Sequence, residues 1–471
     1  MPAERARYVI EHLPGDLFRG AGETGEVPSI AWRVSPEPFR LAPATVERIT
    51  ALGPHLLAFY RAVSALYARS VRGSAPDFIA DYLDRGKPDF IVRLARQNRF
   101  KSDVPRVIRP DLILTESGGF IASELDSIPG GMGFVAAMAR AYCELGFDTV
   151  GETDGMADGF AAMLAATAQV ERPAVAIVVS DESGDYRNEL RWLAERMNER
   201  GTAEALVCEP QDIIFTEEAL FVRHADGREA KVDILYRNFE LFDLLNVPKQ
   251  ELMLYAARHN RVKMTPPPKA QLEEKSTFAL LHHPALAKLW LGELGSDTFA
   301  ILQRLFPMTW VMDSRPLPPH GSITGLVAGG SPVRDWLELE TLGKSERDYV
   351  IKPSGFSELA WGSRGVKIAN DLTKDGWHDA IANAVAAFET SPHILQRFHK
   401  GRRVSVSYLD RKRDAVATMD GRVRLCPYYF VAGDETRLGG VLATVAPADK
   451  RLIHGMSDAV MAPCMVAEDG A

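Results

Sequence analysis

A single lysine lies between a short apolar run and a glycine-rich loop in the segment from Asp348 to Val366, DYVIKPSGFSELAWGSRGV. Lys352 comes directly after the apolar residues, and Pro353 cannot donate a further hydrogen bond to a neighbouring strand. Glycine has no Cβ, so the backbone N–H groups of such a loop can approach an anionic ligand closely. The glycines of the loop are Gly355, Gly362 and Gly365. The segment therefore predicts a phosphate-binding loop that begins at the end of a strand.

Side chains of the same loop add further donors for phosphate oxygens. Ser354 carries a hydroxyl, and Arg364 carries a guanidinium group that can bind phosphate with two N–H donors. The alternative interpretation is a surface hairpin with a solvated lysine, because short patterns of lysine and glycine also arise without function.

Acidic residues and an arginine lie on two neighbouring runs in the first third of the chain. Residues 107–114 and 120–125 are predicted strands, and the glycines between them predict a turn. Side chains two positions apart on a strand point to the same face. A hairpin would therefore bring together one arginine and three carboxylates. These residues are Arg109, Asp111, Glu124 and Asp126.

Three carboxylates packed together repel one another unless a cation lies among them. Carboxylate oxygens suit Mg²⁺, which takes a few of them together with substrate phosphates and waters. We therefore predict that Asp111, Glu124 and Asp126 bind Mg²⁺. The alternative is a solvated strand edge with salt bridges. The apolar surroundings of both runs argue against that alternative, because a buried acidic residue is costly without a partner.

Composition limits the class of protein. With 471 residues, of which 46% are hydrophobic and 25% charged, the chain is expected to form two or three globular domains. A formal net charge of −8 argues against a nucleic-acid-binding or anionic-membrane surface. The sequence contains no run long enough for a membrane span and begins without the order of a signal peptide, so a cytoplasmic location is expected. Four scattered cysteines predict reduced, structural thiols.

Helices and strands follow one another in an order typical of a mixed α/β (α+β) fold. Residues 44–94 have helical spacing of apolar positions, which predicts an α-rich beginning. After residue 172 a buried strand, a helix and a second strand predict a β-α-β unit with a parallel sheet. Three consecutive prolines near residue 266 predict a boundary. The chain is thus divided into residues 1–170, residues 171–262 and residues 263–471.

A glycine pattern at residues 131–136, GMGFVA, is similar to a dinucleotide-binding fingerprint. The preceding strand ends several residues earlier, and Pro129 interrupts the connection. Since the fingerprint requires glycines directly between a strand and a helix, no dinucleotide site is predicted here.

The ordered set of motifs resembles the circularly permuted ATP-grasp proteins related to the ligase domain of glutathionylspermidine synthase. In that family an R-x-D strand precedes a strand with an E-x-N motif and a D-T-P loop. The matching residues here are Arg109-Pro110-Asp111 and Glu124-Leu125-Asp126, followed by Ser127-Ile128-Pro129. Asp126 replaces the family's asparagine, which adds a negative charge to the implied metal site.

Later motifs of the family follow in the same order, from a helical lysine to a late arginine strand. The matching residues are Lys275, Lys352-Pro353, Arg364-Gly365, Gln396 and Arg424. The resemblance covers about residues 105–445. It implies a permuted ATP-grasp fold in which the first and last thirds of the chain build one nucleotide site. It also implies that residues 171–262 form the small Rossmann-like domain that accompanies the ATP-grasp.

The resemblance implies the role of each site residue. ATP is bound by Lys275, Lys352, Ser354, Gly355, Gly362, Gly365 and Gln396. Mg²⁺ is bound by Asp111, Glu124 and Asp126. Charge that develops on the transferring phosphoryl group is stabilised by Arg109, Arg364 and Arg424.

The implied activity is ATP-dependent ligation of a small carboxylate to an amine through an acyl phosphate. The substrates would be amino-acid-like, peptide-like or polyamine-like, with no nucleic-acid or membrane partner. The family's separate cysteine amidase domain has no counterpart here, so amide hydrolysis is not implied. The alternative functions are an ATP-binding module and a kinase-like phosphotransferase, neither of which joins an acid to an amine.

Overall fold

The computed structural model describes residues 1–14, 17, 32–224, 226–360, 364–453 and 458–467. The chain divides into two compact units, each assembled from segments that are distant in sequence. The first unit contains Met1–Leu57, Pro105–Pro267 and Lys400–Ala471. The second unit contains Ala58–Val104 and Pro268–His399. None of the helices in the described ranges is both long and apolar enough to cross a membrane.

The α-helices of the described chain are α1 (Pro2–His12), α2 (Pro43–Val71), α3 (Phe78–Asp84), α4 (Asp89–Ala95), α5 (Met132–Glu144), α6 (Gly155–Ala168), α7 (Arg187–Glu199), α8 (Gln250–Arg258), α9 (Ser276–His282), α10 (Ala287–Leu305) and α11 (Lys374–Ala386).

The strands are β1 (Arg33–Val34), β2 (Phe39–Leu41), β3 (Val107–Leu114), β4 (Phe120–Asp126), β5 (Ala174–Val179), β6 (Glu204–Cys208), β7 (Ile214–Phe215), β8 (Leu220–Arg223), β9 (Glu229–Lys231), β10 (Ile234–Asn238), β11 (Lys263–Thr265), β12 (Thr309–Val311), β13 (Val327–Ala328), β14 (Ser331–Pro332), β15 (Tyr349–Pro353), β16 (Lys367–Ile368), β17 (His393–Arg397), β18 (Arg403–Asp410), β19 (Ala415–Ala432), β20 (Glu435–Pro447) and β21 (Val460–Val466).

A large sheet forms one layer of the first unit. Its path is β1-β21-β20-β19-β3-β4, with β18 also paired to β19 and β2 also paired to β21. The predicted hairpin is confirmed, because β3 and β4 pair antiparallel with Arg109 opposite Asp126 and Asp111 opposite Glu124. The turn between them contains Gly118 at a φ of 82°. The hairpin therefore forms the end of the large sheet's path.

The predicted β-α-β unit is also present in the first unit. Strands β5 and β6 are parallel and belong to a four-stranded sheet of order β11-β10-β5-β6. Most of β5, AVAIVV, is buried, as expected of a parallel strand that is covered on both faces. Helix α7 between them buries Leu190, Leu193 and Met197 at helical spacing. Helix α6 contacts both β19 of the large sheet and β10 of the parallel sheet.

The second unit contains an antiparallel sheet of order β12-β17-β15-β16. A cluster of buried aromatic and aliphatic residues, including Trp310, Tyr349 and Trp377, packs this sheet against α11 and neighbouring loops. Strand β15 is buried along its whole length. Because Lys352 is its fourth residue, the sheet fixes the start of the glycine-rich loop.

The fold is mixed α/β, as predicted, and the helical beginning is present as α2, α3 and α4. The expected division into residues 1–170, 171–262 and 263–471 stays a prediction. The two compact units group the chain in another way, since the first unit contains both the β3–β4 hairpin and the parallel sheet.

Candidate functional site

Lys352 is buried, which excludes the interpretation of this segment as a solvated hairpin. The residue is 7% exposed, and its Nζ donates a hydrogen bond to Oε1 of Gln396 on β17 at 3.0 Å. Gln396 in turn donates from Nε2 to Oγ1 of Thr309 on β12 at 3.2 Å. The predicted ATP-binding residues Lys352 and Gln396 are thus hydrogen-bonded to each other on the neighbouring strands β15 and β17. The bond to Thr309 extends this contact to β12.

Gly355 packs tightly against the backbone of the segment before α9. A Cβ built on Gly355 would lie 1.8 Å from the carbonyl oxygen of Glu273, so no larger residue fits without a shift of the backbone. Its N–H donates to Oε2 of Glu274 at 3.2 Å. In this structure the glycine therefore makes room for a protein segment, and its predicted contact with ATP stays a prediction.

Lys275 contacts the other end of the same loop. It is the residue before α9, whereas the sequence places it within the helix. Its Nζ donates to the carbonyl oxygen of Ala360 at 3.1 Å. Residues 273–275 therefore contact the glycine-rich loop at Gly355 and again at Ala360.

The hydroxyl of Ser354, at the start of the loop, is suited to bind a polar ligand. Ser354 is 4% exposed, and its Oγ has no hydrogen-bond partner among the described residues. A buried hydroxyl without a partner is costly, so this oxygen fits a site that a polar ligand completes.

Three further residues of the glycine-rich loop, Gly362, Arg364 and Gly365, also have predicted roles in ATP binding or catalysis. Gly365 donates its N–H to the carbonyl oxygen of Leu359 at 2.9 Å, and Arg364 beside it is exposed. Gly362 lies outside the residues that the structure describes. The predicted roles of these three residues stay predictions.

A buried ion pair that the sequence did not indicate supports the loop. Lys87, from the connection between α3 and α4, contacts Glu274, and the two side chains are 2% and 1% exposed. Glu274 also accepts the N–H of Gly355. The acidic pair before Lys275 was the available sign of this ion pair in the sequence, because Lys87 is nearly two hundred residues away along the chain.

The first unit holds a separate cluster of charged residues on the large sheet. Arg109 contacts Asp111 at 3.1 Å and Asp126 at 2.9 Å. Arg424, on the adjacent strand β19, contacts the second oxygen of Asp111 at 2.9 Å. The predicted convergence of arginine and carboxylates is therefore observed for Arg109, Asp111 and Asp126. We call these three residues, together with Arg424, the arginine–carboxylate cluster.

The two aspartates of this cluster differ in electrostatics. Burial would raise the pKa of Asp111, but the guanidinium groups of Arg109 and Arg424 lower it below its ordinary value. Burial raises the pKa of Asp126, and the attraction of Arg109 does not fully offset that effect. Asp111 is thus held as an anion, whereas the ionised form of Asp126 is disfavoured.

The fit of Mg²⁺ to these residues is partial. Within the described ranges, no group of three or more His, Cys, Asp or Glu side chains could hold a metal ion. Both oxygens of Asp111 contact arginine. Glu124 and Asp126 match the one or two carboxylates that Mg²⁺ takes beside phosphate oxygens. The three predicted metal ligands stay a prediction.

Backbone groups next to the cluster are held by residues that sequence reasoning missed. Tyr428 donates from Oη to the carbonyl oxygen of Gly130 at 2.8 Å, and Arg109 donates to the same oxygen at 3.2 Å. Glu189, which is fully buried on α7, accepts the N–H groups of Gly131 and Phe134 at the start of α5. The cluster is therefore attached to α5 and α7, and a glutamate inside an apolar helical face was the available signal.

Comparison with known proteins identifies the fold. No protein-family model and no curated protein matches the sequence. The structure is similar to that of a glutathione synthetase-like effector from Globodera pallida in its apo form, with a TM-score of 0.58 and 11% identity over 99% of this chain and 97% of that chain. This chain shares its overall fold with that protein. A candidate gamma-glutamylcysteine synthetase from Methylobacillus flagellatus KT has a TM-score of 0.37 and 12% identity over 78% of this chain and 82% of that chain, and a TM-score this low does not establish a shared fold.

Proposed function

We propose that this protein is an ATP-dependent carboxylate–amine ligase with a circularly permuted ATP-grasp fold. The observation that carries the proposal is Lys352, a buried lysine at the end of β15 that is hydrogen-bonded to Gln396 and precedes a glycine-rich loop. The fold shared with the glutathione synthetase-like effector over nearly the whole chain supports it, because the name of that neighbour belongs to a class of ligases.

The residues of the second unit would bind the nucleotide. The ammonium groups of Lys352 and Lys275 carry the positive charge that a triphosphate requires, and the hydroxyl of Ser354 is a free polar group for a phosphate oxygen. Gln396 has an amide that can bind a polar edge of the base. Arg364 is exposed beside the loop and would contact phosphate from outside.

The arginine–carboxylate cluster of the first unit would act on the reacting groups. Arg109 and Arg424 are held in fixed positions by Asp111, so their charge is already oriented before a substrate binds. Mg²⁺, bound by Glu124, Asp126 and in the predicted set also Asp111, would neutralise phosphate charge.

The chemistry requires no nucleophile from the protein. An oxygen of the substrate carboxylate forms a bond to the γ-phosphorus of ATP while the bond from that phosphorus to the β-phosphate oxygen breaks, which yields an acyl phosphate and ADP. The amine nitrogen then bonds to the acyl carbon, phosphate leaves, and the amine loses a proton. Positioning and charge stabilisation are the contributions of the protein.

The central test is nucleotide binding by a Lys352→Met variant. We expect its affinity for ATP to fall about 10- to 100-fold, because a hydrogen bond to a charged group contributes about 1.5–3 kcal/mol. Lys367→Met is the matched control, since Lys367 lies on the neighbouring strand β16 and is exposed. Equal ATP affinity of the parent and Lys352→Met, measured by calorimetry, would contradict the proposed phosphate contact.

The reaction class is tested by phosphate release in the presence of Mg²⁺ and ATP. We expect release only when a carboxylate and an amine are both added, from a screen of amino acids, short peptides and polyamines. Release that needs only one acceptor would identify a phosphotransferase. ATP binding without release under any pair would identify a binding module.

A further inference from the structure

A cavity of about 870 Å³ lies within the second unit, and its lining includes Thr309, which accepts a hydrogen bond from Gln396. Residues from α9, β12, α11 and the segment 313–337 line it, and the described lining includes neither Lys275, Lys352 nor Gln396. A cavity of this size is typical of sites that enclose a small organic molecule. Nothing in the proposed ligase reaction uses it.

The walls of the cavity are mainly apolar. Trp310 and Trp336 line it, and both indole N–H groups are already used, since they donate to the carbonyl oxygens of Thr324 and Asp313 at 2.8 Å. The two indoles therefore offer carbon surface rather than hydrogen bonds. Met308, Leu317 and Leu337 also line the cavity and are 37%, 40% and 42% exposed. Large exposed apolar side chains grouped around a cavity are typical of a binding site.

The polar groups of the cavity favour a ligand with a single negative charge. Arg315 is already neutralised by Asp81 and Asp313, at 2.8 and 2.5 Å. Among the described residues, the guanidinium group of Arg334 has no ion-pair or hydrogen-bond partner, and it is exposed. Asp335 also lines the cavity, and its carboxylate accepts the N–H of Leu337. Arg334 is thus the one cation of the described lining that is available to pair with a ligand, and a single guanidinium matches a monoanion better than a phosphate dianion.

A histidine provides a second polar group that lacks a partner. The Nδ1 atom of His283 is buried and has no hydrogen-bond partner in the described part of the chain. Burial lowers the pKa of His283, so the ring is neutral at pH 7 and carries one N–H donor. A buried ring nitrogen without a partner is costly unless a ligand or water satisfies it.

We propose that this cavity binds a small hydrophobic carboxylate, with its apolar body against Trp310 and Trp336 and its carboxylate paired with Arg334. None of the residues assigned to the proposed ligase activity lines the cavity, and Thr309 in its wall accepts a hydrogen bond from Gln396. An acyl chain of about eight carbons or a single aromatic acid is smaller than the cavity and can be enclosed by it, and its one negative charge matches the guanidinium of Arg334.

The test uses octanoate as the probe with the full chain in the absence of nucleotide. Octan-1-ol and octylamine have the same chain with a neutral and a positive head group, so they separate apolar burial from charge. We expect saturable octanoate binding that changes tryptophan fluorescence, with at least about tenfold weaker binding of octylamine. Arg334→Gln should weaken octanoate binding by about tenfold and leave octan-1-ol binding unchanged.

Two further variants complete the design. Arg304→Gln removes an exposed arginine of the same unit that does not line the cavity, so octanoate binding should stay as in the parent. Ala382→Trp places a large ring on the α11 wall and should abolish binding of all three probes, with thermal unfolding as the check on folding. Equal binding of octanoate and octylamine, or undiminished octanoate binding by Ala382→Trp, would overturn the proposal.

Discussion

The two aspartates of the arginine–carboxylate cluster differ in burial and in the number of arginines that they contact. Asp111 is held by two guanidinium groups and its side chain is 5% exposed. The side chain of Asp126 is 27% exposed and contacts only one of the two arginines. Removal of Asp111 leaves two largely buried cations with fewer anions, whereas removal of Asp126 leaves Arg109 paired with Asp111.

Asp111→Asn and Asp126→Asn should therefore differ in the free energy of unfolding at pH 7. We expect Asp111→Asn to lose about 3–5 kcal/mol, because it breaks a buried ion pair on one side. Asp126→Asn should be as stable as the parent or more stable, because the ionised carboxyl is disfavoured in the fold. Urea unfolding without added metal measures both. Equal losses in the two variants would show that the cluster acts as a single structural salt bridge.

Glu189 should make stability depend on pH. Burial raises its pKa from 4.5 to about 7. Between these values the folded protein keeps a proton that the unfolded chain releases, so stability falls as pH rises, by about 1.4 kcal/mol per unit. Glu189→Gln should remove this slope between pH 4.5 and 7, as measured by urea unfolding at several pH values. Glu195→Gln, an exposed change on the same helix, should keep it.

Sequence reasoning found site residues where a polar side chain interrupts an apolar run. Lys352 at the end of a buried strand and the carboxylates of the β3–β4 hairpin are of this kind. It missed Lys87 and Glu189, because the structural role of each depends on a partner that is far away in the chain. A lysine in a loop carries no local signal of burial, and the position of Glu189 on the apolar face of α7 does not indicate which groups it binds.

At the scale of elements, the glycine pattern before α5 has a packing role. A Cβ on Gly133 would lie 1.9 Å from the carbonyl oxygen of Glu189, so the glycine lets α5 approach the backbone of α7. This contact explains why a pattern similar to a dinucleotide fingerprint is present where no strand leads directly into the helix. The close approach also places the N-terminus of α5 next to the carboxylate of Glu189.

Gly133→Ala should destabilise the protein by about 1–3 kcal/mol, since a backbone atom must move to admit the methyl group. The matched change is Gly292→Ala in α10, where no heavy atom lies within 4 Å of the added Cβ. That variant should gain up to about 1 kcal/mol from helix propensity. The free energies of unfolding of the two variants should therefore change in opposite directions, and a loss in both would contradict the role of close packing.

Elements were predictable where periodicity was strong, and their lengths were not. The β-α-β unit and the hairpin follow from buried runs and turn residues, and both are confirmed. The expected arginine strand around Arg424 is part of β19, which extends over Ala415–Ala432. None of its first six residues, Ala415–Asp420, is buried, and all six pair with β18. Because these six residues have no buried face, their extended form depends on the neighbouring strand.

At the scale of the whole molecule, chain order and spatial order differ in a way that no local pattern reveals. The first unit takes segments from the beginning, the middle and the end of the chain. In the large sheet, β21 lies between β20 and β1, and β2 also pairs with it. Two short strands from the first tenth of the chain are therefore paired with a strand near its end.

A chain that ends after Asp458 should fail to form the first unit. The deletion removes five consecutive buried residues of β21 and the pairing partner of β1 and β2. Val460 and Met461 are the large apolar side chains among these residues and contribute about 1.5–3 kcal/mol each on burial, so together with the lost strand pairing the deletion removes a large part of the total stability of about 5–15 kcal/mol of an ordinary domain. Limited proteolysis should cleave the segments of the first unit, and urea unfolding should lose the part of the transition that belongs to this unit, whereas the second unit should keep its own transition. A control chain that lacks only residues 468–471 keeps β21 and should unfold like the parent. Cooperative unfolding of the shorter chain at unchanged urea concentration would show that β21 is dispensable and that the sheet is closed by β20 alone.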